Sequence, residues 1–169
     1  MIIRIQELVA KGTRLSIRET MNVEALLRNN KDVLNASPLE IRLEAYAEQS
    51  VVHVQGELII ELELACSRCL EPTAEKIVIP FFERFRSAAA AAAGEEDEDI
   101  IDSEDDRIDL KPYVEESLLL HVPFVPLCRE ACGGLCPQCG SNLNESQCGC
   151  INERVDPRFA ALKELFKGE

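Results

Sequence analysis

Eight cysteines fall in four close pairs: Cys66-x2-Cys69, Cys128-x3-Cys132, Cys136-x2-Cys139 and Cys148-x-Cys150. Thiolate is a soft donor that suits zinc, which takes four ligands in a tetrahedron. A C-x2-C turn points two sulfurs at a common centre, so two such pairs complete one shell. Four pairs therefore provide two all-thiolate sites with no thiol left over. In CPQCG, Pro137 fixes part of the turn and Gly140 lets amide groups turn toward the sulfurs. The eight residues between Cys139 and Cys148, GSNLNESQ, make a short loop rich in turn formers. This groups Cys136, Cys139, Cys148 and Cys150 as one compact site. Cys66 and Cys69 are then left to meet Cys128 and Cys132 across 58 intervening residues. Cys132 lies only four residues before Cys136 and is also available to the second site, and one site with spare thiols is a further arrangement.

Other thiol chemistry fits less well. A dithiol redox pair needs a poised thiolate, commonly at a helix start. CSRC, residues 66 to 69, follows a strand pattern instead, although Arg68 is placed to depress a thiol pKa. A thiol redox or zinc-release sensor is the alternative reading. Catalytic zinc keeps an open position, whereas four thiolates close the shell. Both sites therefore read as structural Zn2+. His53 and His121 are single histidines and read as core or surface residues. No nucleophile elbow, phosphate-binding glycine loop or zinc-protease motif is present, and no enzyme is expected.

These pairs must be positioned by regular elements. In VVHVQGELIIELELAC, residues 51 to 66, Val52, Val54, Leu58, Ile60, Leu62 and Leu64 fall on one side. His53, Gln55, Glu57, Glu61 and Glu63 fall on the other, with Ile59 among them. Period two over this length predicts a strand with one solvated face. Gly56 interrupts the apolar side and marks an expected bulge or tight bend. LEIRLEAYAE, residues 39 to 48, alternates likewise, and Gln49 and Ser50 connect the two as a hairpin. AEKIVIPFFERF, residues 74 to 85, predicts a third strand, so CSRC lies at the tip of a second hairpin. RLSIRET, residues 14 to 20, reads as a further strand and VEALLRN, residues 23 to 29, as a short helix. Asp109 caps a predicted helix carrying Pro112, with Leu110, Val114 and Leu118 on one face and Pro123 and Pro126 beyond its end. A last helix is expected with Asp156 as N-cap, Pro157 at its first position and Phe159, Leu162 and Phe166 as an apolar stripe.

The expected fold is α+β, a mainly antiparallel sheet with a few helices and a Cys-rich zinc-binding C-terminal module. Residues 1–127 form the sheet domain, with a low-complexity acidic insertion at 87–106 read as a mobile loop. Residues 128–169 form the zinc module and C-terminal helix, packed on the first domain. With 169 residues, a core can form without disulfides.

The net charge of −13 is local: residues 95 to 109 hold ten acids and one Arg. Residues 1 to 31 carry six bases against three acids, so the acidic total does not describe every face. No run is apolar enough to span a bilayer, which takes about 20 residues. MIIRIQELVAKGTRL is too short and too interrupted by charge for a secretory signal. The expected compartment is cytoplasmic, where thiols stay reduced.

CSRCLEP after a long strand, IDLKPYVEESLLLHVPFVPLC, and CGGLCPQCGSNLN ahead of CGC and DPRFAALKEL together resemble the YceD family. Its members are described as large ribosomal RNA subunit accumulation proteins. The resemblance runs from about residue 39 to the end, and more loosely over the first 38 residues. It implies a non-enzymatic bacterial or organellar factor that supports large-subunit ribosomal RNA accumulation and large-subunit assembly. The family's C-x2-C carries over onto Cys66 and Cys69, and its second thiol cluster onto Cys128 and Cys132. Some members lack the later cluster, so Cys136, Cys139, Cys148 and Cys150 resemble an optional second module. The implied partner is a ribosomal protein or precursor large-subunit rRNA. A basic ribosomal protein suits the 95 to 109 block; RNA would call on Arg4, Lys11, Arg14, Arg18, Arg28 and Arg68.

Overall fold

The computed structural model describes residues 1–87, 99–103 and 105–150. The Ala-rich run and the helix expected from Asp156 onward lie outside the described residues. In chain order the elements are β1 (Ile2–Arg4), α1 (Ile5–Lys11), β2 (Leu15–Met21), α2 (Glu24–Leu27), β3 (Val33–Ala36), β4 (Leu39–Glu48), β5 (Val51–Ala65), β6 (Pro72–Ser87), β7 (Ile101–Ser103), β8 (Arg107–Asp109) and α3 (Lys111–His121). The architecture is α+β, with a six-stranded sheet in the order β2-β4-β5-β6-β7 and a separate β1-β8 pair. β3 takes a place beside β5, and all pairs but β6 with β7 are antiparallel.

Alternation decides which face is buried. Leu39, Ile41, Leu43 and Ala45 of β4 point inward with Val52, Val54, Leu58, Ile60, Leu62 and Leu64 of β5. Ile79, Phe81 and Phe85 of β6 complete that layer. Helices cover it: Ile5 and Leu8 come from α1, Leu27 from α2, Val114 and Leu118 from α3. Val114 and Leu118 of α3 face inward together with Leu110 at its N-cap, and the Asp109 carboxylate accepts the Lys111 N–H at 3.0 Å. The N-terminal strand and helix, Ile2 to Lys11, lie in a stretch too mixed in charge to show a clear period, and no element was expected there.

Pairing runs through Gly56 without a register break, opposite Leu43 on one side and Phe81 on the other, so the expected bulge is absent. The glycine serves close approach instead: a Cβ there would lie 2.0 Å from the Arg42 carbonyl oxygen. The irregularity sits in β3, between Val33 and Asn35. Pro38 has no N–H to give to the ladder, and Ser37 makes up the pairing at that point. Its N–H donates to Glu61 O at 2.9 Å and its Oγ accepts Glu61 N–H at 3.0 Å.

The 87–106 insertion is not loop throughout. Ile101–Ser103 runs parallel to β6, with Ile101 opposite Phe85. The reason is a cation: Arg86 is only 8% exposed, and its Nε donates to Asp102 Oδ1 at 2.8 Å. A buried guanidinium needs a carboxylate, and Asp102 of the acidic block supplies one.

Candidate metal centre

β5 is long enough to carry Cys66 past the sheet to the tip of the β5–β6 hairpin. There Cys66 N–H donates to Glu71 O at 2.9 Å and Leu70 N–H returns to Cys66 O at 2.8 Å, closing the turn. α3 ends before Pro123, and the following segment reaches the same tip. Ser67 N–H donates to Pro126 O at 2.8 Å, and Leu135 N–H to Arg68 O at 3.0 Å. The turn is thus clasped between the approaches to Cys128 and Cys136.

The sulfurs of Cys66, Cys69, Cys128 and Cys132 all lie within 4.8 Å of one another. Cys66 and Cys132 are 3.8 Å apart, and Cys69 and Cys128 are 3.7 Å apart. A tetrahedron with Zn–S bonds of about 2.3 Å has edges of about 3.8 Å, whereas a disulfide brings sulfurs to about 2.05 Å. The spacing fits a shared metal ion. Cys66, Cys69 and Cys132 are buried, and Cys128 closes the group from the solvent side.

Cys136, Cys139, Cys148 and Cys150 form the second group, again with all sulfurs within 4.8 Å. Its CPQCG turn has the same form, with Gly140 N–H on Cys136 O at 2.8 Å. Cys136 N–H donates to Ser141 O at 2.8 Å, which folds the loop back onto the turn. This group is more open: Cys136 is buried, Cys139 exposed, and Cys148 and Cys150 half-buried.

The electrostatics of both groups suit a cation. Burial raises the Cys66 thiol, but backbone hydrogen bonds from Cys128, Cys69 and Arg68 win and draw it to about 6. The Asn144 side-chain amide draws Cys132 down as well. Burial and the neighbouring Cys132 and Cys69 sulfurs push Cys128 up to about 12. In the second group, backbone hydrogen bonds from Cys139 and Gln138 bring Cys136 to about 6, while the Cys139 sulfur and burial hold Cys150 at about 12. Without a cation two sulfurs ionise readily in each group and two resist; four thiolates coexist only around positive charge.

The remaining sequence candidates do other work or lie apart. Arg68 Nη1 donates to the carbonyls of Cys132 at 3.0 Å and Glu130 at 3.4 Å, so it braces the clasp rather than facing a ligand. Lys11 pairs with Glu7, and Arg14 pairs with Glu44 while lying over the Tyr46 ring. Arg4, Arg18 and Arg28 lie on β1, on β2 and at the end of α2. His53 stacks on Tyr46 across the open sheet face, and His121 Nδ1 contacts Ser117 O. Asn144 was not foreseen. It stands in GSNLNESQ, where an Asn reads as a turn former, and nothing in a single sequence marks it as a donor to Cys132.

An α+β scaffold whose hairpin tip shares one four-cysteine group with the segment after α3, which closes a second group by itself, defines a class of cysteine-clasped protein. The profile of the family described as "Large ribosomal RNA subunit accumulation protein YceD" matches residues 54–166, a stretch that contains all eight cysteines. The chain belongs to the YceD family. It is 35% identical to the uncharacterized protein Rv2926c of Mycobacterium tuberculosis over 132 residues, 78% of this chain and 62% of that protein. It thus spans about three fifths of the mycobacterial relatives it matches. YlbN of Bacillus subtilis, also uncharacterized, is 31% identical over 150 residues, 88% of this chain and 86% of YlbN. The Arabidopsis thaliana protein named "Large ribosomal RNA subunit accumulation protein YCED homolog 1, chloroplastic" is 25% identical, covering 92% of this chain and 54% of that protein. No solved structure gives a significant match. Among the described residues, no helix is long and apolar enough to cross a membrane.

Proposed function

We propose that this chain is a cytoplasmic, non-enzymatic factor that supports large-subunit ribosomal RNA accumulation and assembly of the large ribosomal subunit. In this reading two structural Zn2+ ions are held by Cys66, Cys69, Cys128 and Cys132, and by Cys136, Cys139, Cys148 and Cys150. The observation that carries it is the family match across residues 54–166, which takes in both cysteine groups. The family description and the Arabidopsis relative's name supply the ribosomal role. The 3.7–3.8 Å sulfur spacing supports zinc, and a closed thiolate shell leaves no position for a catalytic water.

A depletion strain tests the role. Sucrose-gradient profiles are expected to lose large subunits and their RNA while small subunits persist. Equal loss of both subunits, or of neither, contradicts it. The partner is a ribosomal protein or precursor large-subunit rRNA. Basic ribosomal proteins complement the acidic 95–109 block, which favours protein as the first contact. Pull-down with and without ribonuclease separates the two: protein recovery that collapses with ribonuclease makes RNA the primary contact.

A thiol redox or zinc-release sensor is the second reading, favoured by the exposure of Cys139 and its lowered thiol pKa. Peroxide treatment of the native protein followed by zinc release measures it; retention of all zinc excludes a sensor.

A further inference from the structure

Residues 129 to 135, which carry Cys132 of the first group and lead to Cys136 of the second, are held by contacts from two other segments. Arg68 of the first turn donates to Cys132 O and receives Leu135 N–H at its own carbonyl. Asn144 reaches the same stretch as well, out of the loop that joins Cys139 to Cys148. Its Oδ1 accepts Gly133 N–H and Arg129 Nη2, both at 2.7 Å. A backbone N–H only donates, so the atom facing Gly133 is oxygen and the amide orientation is fixed. Nδ2 therefore faces the Cys132 sulfur, at 3.3 Å, and also meets Asn142 Oδ1 at 2.9 Å.

The second group fixes the loop that makes this contact. Leu135 bridges to Asn142, Leu143 N–H donates to Gly134 O at 2.9 Å, and Cys136 N–H to Ser141 O. Gly133 leaves room for the arrangement, since a Cβ there would lie 3.2 Å from Leu143 Cβ. The loop of one cysteine group thus presents a hydrogen-bond donor to a ligand atom of the other.

Resting on the zinc occupancy proposed above, we infer that Asn144 is a positioning residue that couples the two metal centres. Binding of zinc by Cys136, Cys139, Cys148 and Cys150 closes the loop that aims the Asn144 amide at Cys132. A donor on a thiolate is a charge-assisted contact that stabilises the ligand in its metal-binding form. Filling the second centre therefore tightens the first, and linkage requires the reverse by the same factor.

The test uses the full chain in a chelator-buffered zinc series, with occupancy read cysteine by cysteine from N-ethylmaleimide labelling and peptide mass spectrometry. Asn144→Ala is expected to weaken zinc binding at Cys66, Cys69, Cys128 and Cys132 by about tenfold or more. Asn144→Asp keeps the acceptor for Gly133 and Arg129, is close to isosteric, and lacks the donor; it weakens the first centre as well. Cys136→Ser, which disables the second centre, lowers first-centre affinity in the wild-type background and adds nothing to Asn144→Ala. Full first-centre affinity in Asn144→Asp, or losses that simply add, overturn the coupling. A wild-type chain that takes up no zinc removes both the coupling and the zinc reading. Uptake of two zinc ions with unaltered affinity in the Asn144 variants removes the coupling alone.

Discussion

Leu70 and Gly140 occupy the same position in two turns of one form. Each follows the second cysteine of a C-x2-C pair, each has positive φ, 62° and 74°, and each donates its N–H to the carbonyl of the first cysteine at 2.8 Å. Only one of them is the residue that this backbone favours. An L side chain in the left-handed region costs about 1–2 kcal/mol. Leu70 bears that cost with a side chain 65% exposed, so little packing offsets it.

Leu70→Gly is therefore expected to stabilise the zinc-loaded protein by about 0.5–1 kcal/mol, after subtracting the greater chain entropy of glycine. The thermal midpoint rises by about 1–4 °C on that scale. Gly140→Ala goes the other way by about 1 kcal/mol, and the cost is purely one of backbone, because no atom lies within 4 Å of the added Cβ. Calorimetry of both variants with metal bound checks the pair. A Leu70→Gly protein less stable than wild type means that the Leu70 side chain holds something its exposure does not reveal.

The two cysteine groups differ in what they fasten, so their loss differs in consequence. Cys66 and Cys69 join the β5–β6 tip to a segment beyond 58 intervening residues, whereas Cys136, Cys139, Cys148 and Cys150 close a local loop. Cys66→Ser is expected to lose its zinc and to weaken the sheet, seen as a lower midpoint and reduced strand signal in circular dichroism. Cys136→Ser is expected to lose the second zinc, leave the strand signal intact and bind the first ion more weakly. Equal damage to the sheet from both substitutions contradicts this division of labour.

Glu83 lies on the covered face of β6 between Phe81 and Phe85, and burial, with Glu116 of α3 adding repulsion, raises its carboxyl pKa. A raised carboxyl means the folded state takes up a proton that the unfolded state does not. The penalty is present above the folded pKa and fades as pH falls to the ordinary carboxylate range, about 4.3. Glu83→Gln is expected to raise the thermal midpoint at pH 7, with the gain shrinking toward zero below pH ~4. A gain that is constant with pH assigns the effect to packing instead of charge.

The sheet was legible where one face is buried and the other wet. Leu39–Glu48 has the bounds that alternation predicts, and Val51–Ala65 ends one residue short of the predicted 51 to 66, with Gln49 and Ser50 between the two. Ile101–Ser103 was hidden because its place is set by a distant cation, Arg86, and not by any period of its own. Ile2–Arg4 and Ile5–Lys11 were hidden because a three-residue strand and a two-turn helix are too short to establish a pattern. At Gly56 the sequence shows only a missing side chain, which looks alike in a bulge, in a bend and where a neighbouring backbone comes close; the unbroken register rules out the bulge alone. At the cysteines, the tight spacing of Cys136, Cys139, Cys148 and Cys150 marked one group. The other followed by elimination, since no local signal says that residue 66 meets residue 132. Asn144 follows from neither, because its role exists only after the chain has brought the second loop against the first group.

The central claim is that eight thiols act in two fours around metal. Elemental analysis with thiol titration of anaerobically purified, folded protein tests it most directly. Two zinc ions per chain are expected, with no cysteine that reacts until a chelator is added. A folded, zinc-free chain whose thiols titrate at once contradicts it.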